Sequence, residues 1–252
     1  IKEIWLLECY FVKIDLTPCY ILHHRDFSES SLILDIFSRD YGRINLIVKG
    51  AKRNKKYYGT NFDLYQKYNI SWVSKSELGT LIEIEIAISK TSFNPKKAII
   101  GFYINEIILK LLHKHEPHSE LFDIYELTLN KLFANENEKI LLRYFEKQLL
   151  QSLGYGISLD YDTKTGSLID TSVDYYYKIE SGPSLDFITP NEGMKISGKT
   201  LFELNNETLS DNKNINEAKN LLGMILRKYI NQPLESKKLY KSYTQIKNNL
   251  TN

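Results

Sequence analysis

The first third of the chain alternates apolar and polar positions in the way that is typical of β-strands. In residues 81–88 a period of two places Ile82, Ile84, Ile86 and Ile88 on one face, with glutamates on the other. The same alternation recurs in residues 19–25, 31–37, 43–49 and 68–73. The inward positions predicted for the last two segments are Ile44, Leu46 and Val48, and Tyr68, Ile70 and Trp72. Five short strands separated by turn residues predict a small Greek-key barrel, and we expect an OB-fold.

Beyond Pro95 the apolar positions follow a helical period. Helices are predicted over residues 98–112, 119–133, 137–153, 201–204 and 216–230. The first is apolar nearly all round, which is typical of a helix buried in a bundle. Gly154 is placed where a left-handed residue ends a helix, and the last periodic segment stops before Pro233. Residues 165–199 are polar and contain Gly and Pro, which predicts an extended or hairpin-containing excursion.

The predicted fold class is therefore β + α, with two domains. Residues 18–90 are assigned to a five-stranded OB-fold barrel, and residues 95–252 to a helical-bundle domain. The excursion at residues 165–199 belongs to the second domain. The boundary is placed near residues 90–95.

The charge of the chain is small in total but unevenly distributed. The net charge is +2, yet residues 39–56 carry seven basic residues against one acid, and residues 227–247 carry six against one. The remainder of the chain is therefore at −9, obtained by removing +6 and +5 from +2. Such segregation predicts a surface that binds polyanions better than the total charge does.

Several functional classes are disfavoured by what the sequence does not contain. Only Cys9 and Cys19 are present, too few for a disulfide framework or a four-cysteine zinc site. No apolar run approaches the roughly 18 residues of a membrane span. No phosphate-binding loop, nucleophile elbow or spaced carboxylate set is found. We expect a non-catalytic protein of the cytoplasm, with no cofactor, no metal and no contact with a membrane.

A basic and aromatic loop follows the third predicted strand and is the first candidate site. Lysine and arginine displace counterions from phosphates, and tyrosines stack on unpaired bases. The DNA-binding candidates are Arg43, Lys49, Lys52, Arg53, Lys55, Lys56, Tyr57 and Tyr58. The alternative is a solvated loop whose lysines only aid solubility.

The third predicted helix offers the second candidate site. Lys139, Arg143 and Lys147 recur every four residues and predict a cationic stripe, with Leu142 and Phe145 on the adjacent apolar face. A cationic stripe beside an apolar groove suits an acidic peptide that ends in a hydrophobic residue and a free carboxylate. The alternative is an ordinary amphipathic helix with a solvated face.

Near the C-terminus, Lys237 and Lys241 share a face if residues 236–247 are helical, and Lys238 joins them across the turn. Three interpretations stay open for these lysines: they extend the DNA-binding surface, they bind a protein partner, or they are simply solvated.

An ordered set of short motifs makes the chain resemble the bacterial recombination mediator family RecO. The motifs are ILHHR (21–25), SESSL (28–32), GR (42–43), KGAKR (49–53), ELGTL (77–81), FYINE (102–106), LF (121–122), LRYFE (142–146), LGYG (153–156) and PL (233–234). The resemblance implies an OB-fold joined to a helical domain. It also implies binding of single- and double-stranded DNA, annealing of complementary strands, and recombinational repair in the RecF pathway, with nucleoid association during repair. The partners it implies are RecR, the C-terminal tail of the single-stranded-DNA-binding protein SSB and, indirectly, RecA.

The resemblance also assigns particular residues. It implicates Lys49 and Arg53 in DNA contact, and it matches Arg143 to the family arginine that holds the SSB tail. Many family members carry a cysteine zinc site late in the chain, which this sequence lacks after Cys19. The resemblance begins near residue 20, so we expect residues 1–17 to be a non-native or disordered extension with no role in the fold.

Two other functions remain open at this level. An OB-fold-containing nuclease would cleave DNA in the presence of a divalent metal. An RNA-binding OB module would prefer RNA over DNA of the same sequence.

Overall fold

The computed structural model describes residues 12–53, 61–74, 76–88 and 94–250. They form two compact units. The first takes residues up to Asn94 together with Ile104–Phe122, and the second takes Pro95–Tyr103 and the residues from Asp123 onward. The structure therefore differs from a single cut at residues 90–95, because part of the helical sequence belongs with the strands.

The first unit is built on five strands. They are β1 (Val12–Asp26), β2 (Leu32–Ser38), β3 (Gly42–Val48), β4 (Lys67–Ser74) and β5 (Leu78–Ile88). They close a barrel in the order β1-β2-β3-β5-β4. The pairs are antiparallel except β3 with β5, which run parallel where Asn45 faces Leu78. The prediction of a five-stranded β-domain followed by helices is confirmed.

The first strand starts earlier than predicted. Ile14 pairs with Trp72 and Thr17 with Ile70, and the Ile14 side chain belongs to the barrel core. Residues 12–17 are therefore part of the barrel and not an extension, while residues 1–11 lie outside the described residues. A register shift between Ile14 and Thr17 interrupts the period of two, which is why alternation alone did not extend the strand to Val12.

The barrel core confirms the inward faces predicted for β3 and β4 but corrects that of β5. Ile82, Ile86 and Ile88 are exposed, while Leu81 is buried and Ile84 is only partly so. The β4–β5 pairing shifts register at two places, between Lys67 and Tyr68 and between Ser71 and Trp72. Each shift moves the following residues to the opposite face, so a strict period of two does not hold along this strand.

The helical segment Ile104–Phe122 packs against the barrel within the first unit. The Asn105 side chain donates to the carbonyl of Leu22 at 2.9 Å in a fully buried position. The Phe122 ring lies 5.5 Å from that of Tyr20 and 5.3 Å from that of Phe37, between ring centroids. The barrel is therefore closed on this side by side chains that follow it in sequence.

Within the described residues the helices are α1 (Pro95–Leu111), α2 (Ser119–Phe133), α3 (Glu138–Ser152), α4 (Gly198–Asn205), α5 (Asn212–Tyr229) and α6 (Glu235–Leu250). The first half of α1 belongs to the second unit and its second half to the first, which explains why this helix is apolar nearly all round. Asn137 caps α3 by accepting from the Lys139 amide, and Gly154 after it adopts the left-handed conformation, with φ of 73°.

The second unit also contains a small sheet in the excursion of residues 165–199. Its strands are β6 (Asp174–Lys178), β7 (Gly182–Ser184) and β8 (Gly193–Ser197), in the antiparallel order β7-β6-β8. Ser197 ends β8 and caps α4, and its hydroxyl also donates to Glu217 of α5. In this unit α3 and α4 both pack against α5.

Candidate functional site

The turn after β3 is held rigidly at its base. Gly50 has φ of 71°, a conformation that favours glycine, and its carbonyl accepts from the Arg53 amide at 3.0 Å. The amide of Lys52 donates to the carbonyl of Ser30 at 3.0 Å, and Ala51 is buried in the barrel core. The backbone of residues 49–53 is therefore fixed, so its cationic side chains start from defined positions.

The cations of this turn differ in how they are held. The Lys52 ammonium lies 2.9 Å from the Asp26 carboxylate and donates to the carbonyl of Ser28 at 3.0 Å, so it fastens the turn to the loop after β1. Arg53 is mostly exposed and lies 3.9 Å from Glu29, which is even more exposed, so the pair contributes little stability. Lys49 is exposed as well. Lys49 and Arg53 are thus the residues of the turn that face solvent, while Lys55, Lys56, Tyr57 and Tyr58 lie outside the described residues.

Arg43 does not belong to this solvent-facing group. Its guanidinium donates to the carbonyls of Leu109 and Leu112, at 2.6 and 3.2 Å, and its side chain is only 18% exposed. Arg43 therefore satisfies the unpaired carbonyls at the C-terminal end of α1, where a cation also complements the helix dipole. Alternation along β3 places Arg43 outside the barrel core, and the outer face there is covered by a helix end. Contact of Arg43 with DNA stays a prediction.

A buried carboxylate organises the cations around Arg43. Asp35 of β2 lies 2.8 Å from Arg25 and 3.7 Å from Arg43, and it accepts a hydrogen bond from Asn45. Burial by itself raises the pKa of the Asp35 carboxyl, but His23, Asn45 and the two guanidinium groups together hold that pKa below its ordinary value. This cluster stabilises the outer face of β2 and β3, and of the basic turn's described residues, 49–53, it holds none.

The second unit contains a groove of about 600 Å³. Its apolar floor is formed by Ile99, Ile100, Tyr103, Leu142 and Ile215. Five lysines stand at its walls: Lys96, Lys139, Lys219, Lys237 and Lys241. The acid that lines it, Glu138, is bound to Lys96. The groove thus combines an apolar floor with a cationic rim, the chemistry that suits an acidic peptide with a hydrophobic end.

Arg143 lines the same groove, but its charge is already compensated. The side chain is buried, and Nε and Nη2 donate to the two oxygens of Glu146 at 2.7 and 2.5 Å. Burial acts to lower the pKa of this guanidinium, but the adjacent Glu146 carboxylate raises it above its ordinary value. The Tyr103 hydroxyl donates to the same carboxylate at 2.5 Å. Arg143 is therefore part of a fixed triad in the wall of the groove.

The predicted cationic stripe on α3 is not formed as one surface. Lys139 is exposed at the groove, and Leu142 contributes to its floor. Lys147 is buried elsewhere, where its ammonium donates to the carbonyl of Asn205 at 3.0 Å and lies 2.8 Å from Glu207. Phe145 is fully buried in the core. Residues four apart drift around a helix, and here α3 is packed against neighbours on more than one side, so its two ends face different surroundings.

The comparisons with known proteins decide the family. The N-terminal model of Recombination protein O matches residues 14–89, and its C-terminal model matches residues 92–238. The chain belongs to the RecO family.

Relatives in this family match along nearly their whole length. The DNA repair protein RecO of Dechloromonas aromatica is 36% identical over 240 residues, which cover 93% of this chain and 98% of that protein. The DNA repair protein RecO of Nitrosococcus oceani is 34% identical over 241 residues, covering 94% and 97%. That of Coxiella burnetii is 32% identical over 228 residues, covering 90% and 98%. The resemblance to RecO found in the motifs is confirmed.

The groove of this RecO family member includes residues that sequence reasoning did not place there. Lys96 and Lys219 lie on α1 and α5, and Lys237, Tyr240 and Lys241 lie on α6. The spacing of Lys237 and Lys241 indicated a shared face, but only the packing of α6 shows what that face lines. The C-terminal RecO model ends at residue 238, so Tyr240 and Lys241 lie beyond the family match.

Electrostatic crowding marks one lysine of the groove. Burial is the main cause that lowers the pKa of Lys237, and the charges of Arg227, Lys219 and Arg143 lower it further, while Glu146 opposes them. A cation whose charged form is disfavoured by its neighbours gains from an anionic ligand.

In the described part of the chain, no helix has the length and apolar character needed to cross a membrane.

Proposed function

We propose that the chain is a non-catalytic DNA-binding mediator of recombinational repair. It binds single- and double-stranded DNA, anneals complementary strands, engages SSB through the tail of that protein and, together with RecR, helps to load RecA. Its membership of a family whose members carry the name DNA repair protein supports the role in repair. The two cationic surfaces support the finer assignments.

The DNA-binding part of the proposal rests on the barrel and the turn after β3. The closed order β1-β2-β3-β5-β4, with a parallel β3–β5 pair, fits an OB-fold. OB-folds bind oligonucleotides on the face of strands 2 and 3 and in loops that include the one between strands 1 and 2. Lys52 holds the turn after β3 against that loop, through Asp26 and Ser28. Lys49 and Arg53 leave the end of β3 with exposed side chains. Their position supports contact with the backbone of a strand.

Charge reversal at the turn tests this assignment. Lys49→Glu with Arg53→Glu is expected to abolish most binding of a labelled single strand, because two phosphate contacts become repulsive. The salt dependence should fall as well, since each single-strand phosphate contact contributes about 0.7 to the slope of log K against log salt. The matched control is Lys164→Glu with Lys195→Glu, at exposed lysines of the second unit. Equal affinity of the two double variants would refute the role of the turn.

The groove is the observation that carries the SSB-binding part. A tail with acidic residues, a hydrophobic end and a terminal carboxylate matches a floor of isoleucine, leucine and tyrosine with five lysines around it. Leu142→Glu places a negative charge on that floor and is expected to abolish binding of an SSB tail peptide. Leu127→Glu is the matched control, because Leu127 is a solvent-exposed leucine on α2 of the same unit. Undiminished binding by Leu142→Glu, with folding intact, would refute this site.

A strand-annealing assay tests the mediator role as a whole. Labelled complementary strands coated with SSB are incubated with the protein, magnesium and no ATP. Annealing without cleavage is expected, and deletion of the SSB tail should slow it. Cleavage of the strands would favour the nuclease, and tighter binding of RNA than DNA would favour the RNA-binding module.

A further inference from the structure

A second pocket, of about 290 Å³, adjoins the groove. We call it the α6 pocket. It is lined by the end of α5, by the segment before α6 and by the first turns of α6. Lys237 and Lys241 line both this pocket and the groove. Occupation of one site therefore changes the surroundings of the other.

The α6 pocket is strongly cationic. Arg227, Lys237, Lys238 and Lys241 line it together. Glu235 lies 2.7 Å from Lys238, but both side chains are more than 60% exposed, so the pair contributes little stability and opens readily to another anion. Within the described residues, no ion pair is formed by Arg227, Lys237 or Lys241. The depressed pKa of Lys237 fits a site in which positive charge is in excess.

The pocket also has an apolar base made by Leu226, Ile230, Pro233 and Leu234. An inorganic anion would use only the cations, whereas a ligand with both charged and apolar parts would use the base as well. A nucleic-acid strand has this character, because sugars and bases alternate with phosphates. Lys237 and Lys241 are separated by about 6 Å along the helix axis, at 1.5 Å per residue. That distance is close to two steps of about 3.4 Å in a stacked strand.

We propose that the α6 pocket binds the backbone of a single nucleic-acid strand, and that this strand competes with an acidic peptide in the groove for Lys237 and Lys241. The competition rests on the proposed function of the groove, whereas strand binding by the α6 pocket does not. Two anionic ligands that share two lysines each lose counter-charge when the other is bound, so their coupling is negative and reciprocal. A mediator with this arrangement releases the peptide of one partner as it takes hold of a strand.

The test uses the full chain with Lys49→Gln and Arg53→Gln, which weakens strand binding at the barrel turn. A labelled SSB tail peptide is titrated with and without a saturating deoxythymidine oligonucleotide. In this parent the oligonucleotide is expected to weaken peptide binding. In a titration of the oligonucleotide, adding Arg227→Gln and Lys238→Gln, at residues that line the α6 pocket alone, should leave peptide affinity unchanged and require about tenfold more oligonucleotide for the same competition. The control, Lys139→Gln with Lys219→Gln in the groove alone, should weaken the peptide and spare the oligonucleotide.

Direct binding of the oligonucleotide separates this inference from the proposed function. The Arg227→Gln and Lys238→Gln variant should bind it about tenfold more weakly at low salt, with a salt slope smaller by about 1.4, since two contacts are lost. Unchanged affinity and slope would overturn strand binding at the α6 pocket, even if the peptide binds the groove. If the peptide fails to bind the parent, the groove assignment fails and the oligonucleotide result still decides the pocket. Competition in the variant at the same oligonucleotide concentration as in the parent, despite weaker oligonucleotide binding, would overturn the shared-lysine coupling. Polyglutamate serves as an anionic polymer that is not a nucleic acid. If the Arg227→Gln and Lys238→Gln variant loses as much affinity for polyglutamate as for the oligonucleotide, the assignment of the pocket to a nucleic-acid strand is overturned.

Discussion

Replacing Asp35 by asparagine removes the one negative charge from the cluster on the outer face of β2 and β3. The carboxylate is 6% exposed and lies 2.8 Å from Arg25 and 3.7 Å from Arg43. Asparagine keeps the shape of the side chain and its bond to Asn45 in one orientation. The change therefore isolates the loss of charge from a loss of volume.

The expected cost follows from how deeply each partner is buried. Arg25 is half-exposed, so its pair with Asp35 is worth on the order of 0.5 kcal/mol. Arg43 is largely buried, and removing one member of a buried pair costs about 3–5 kcal/mol. Arg43 keeps its bonds to the carbonyls of Leu109 and Leu112, which offset part of that loss. We expect Asp35→Asn to lower the free energy of unfolding by about 3 kcal/mol.

Urea unfolding followed by tryptophan fluorescence measures this cost in the barrel. Trp72 is buried in the barrel core, and Trp5→Phe in every variant leaves it as the single reporter. Arg43→Met and the double variant complete a thermodynamic cycle, with an expected coupling of about 1.5–2 kcal/mol between the two sites. Additivity of the two single changes within about 0.5 kcal/mol would refute the reasoning.

The pH dependence supplies a second check on the same carboxylate. Because the pKa of Asp35 is lower in the folded protein than in the unfolded chain, its contribution is fully present above the unfolded pKa, near 3.9, and is lost as the pH falls through the folded pKa. The stability difference between the parent and Asp35→Asn should therefore be constant at neutral pH and shrink below about pH 4. A difference that grows in acid would contradict the assignment.

Three further changes test other parts of the fold. Gly42 has φ of 68°, and Gly42→Ala would place a Cβ 1.9 Å from the carbonyl oxygen of Glu116. We expect this change to lower the free energy of unfolding in urea by about 2–4 kcal/mol. A loss of only about 1 kcal/mol would mean that backbone strain acts alone and that the clash is relieved. Glu217→Gln should lower the free energy of unfolding by about 1–2 kcal/mol, because the Glu217 carboxylate accepts a hydrogen bond from Thr200 at 2.7 Å. Burial acts to raise the pKa of Glu217, but its hydrogen bonds hold that pKa below the ordinary value. The stability difference between the parent and Glu217→Gln should therefore shrink as the pH falls below about 4.5. Lys147→Met should reduce thermal stability, because the bond of Lys147 to the carbonyl of Asn205 is lost, and should leave the affinity for the SSB tail unchanged. A loss of affinity would show that Lys147 does take part in binding the tail.

Local pattern was sufficient to find most of the strands and helices of this chain. The inward faces of β3 and β4 and the end of α3 at Gly154 were all readable, because each depends on residues within a few positions. The start of β1 and the face of β5 were not, because register shifts there change the parity of the alternation. A bulge depends on the partner strand, which a period of two does not contain.

The candidate sites show the same division. The turn at Lys49 and Arg53 was found because its cations are adjacent in sequence and follow a recognisable strand. The groove was found only in part, since its lysines come from four helices and meet through packing. Arg43 and Lys147 are more buried than the sequence indicates, for a related reason. A basic residue that satisfies helix-end carbonyls or a buried carboxylate looks, in sequence, like one that faces solvent.

The sharing of α1 between the two units bears on how this protein emerges from the ribosome. A nascent chain that stops at Asn94 has all five strands but lacks Asn105 and Phe122, which cover Leu22, Tyr20 and Phe37. The barrel therefore completes its packing only after α1 and the first turn of α2 have been synthesised, a matter of seconds at about 5–20 residues per second. During that interval its uncovered aromatic side is the part of the chain most open to chaperones and to aggregation.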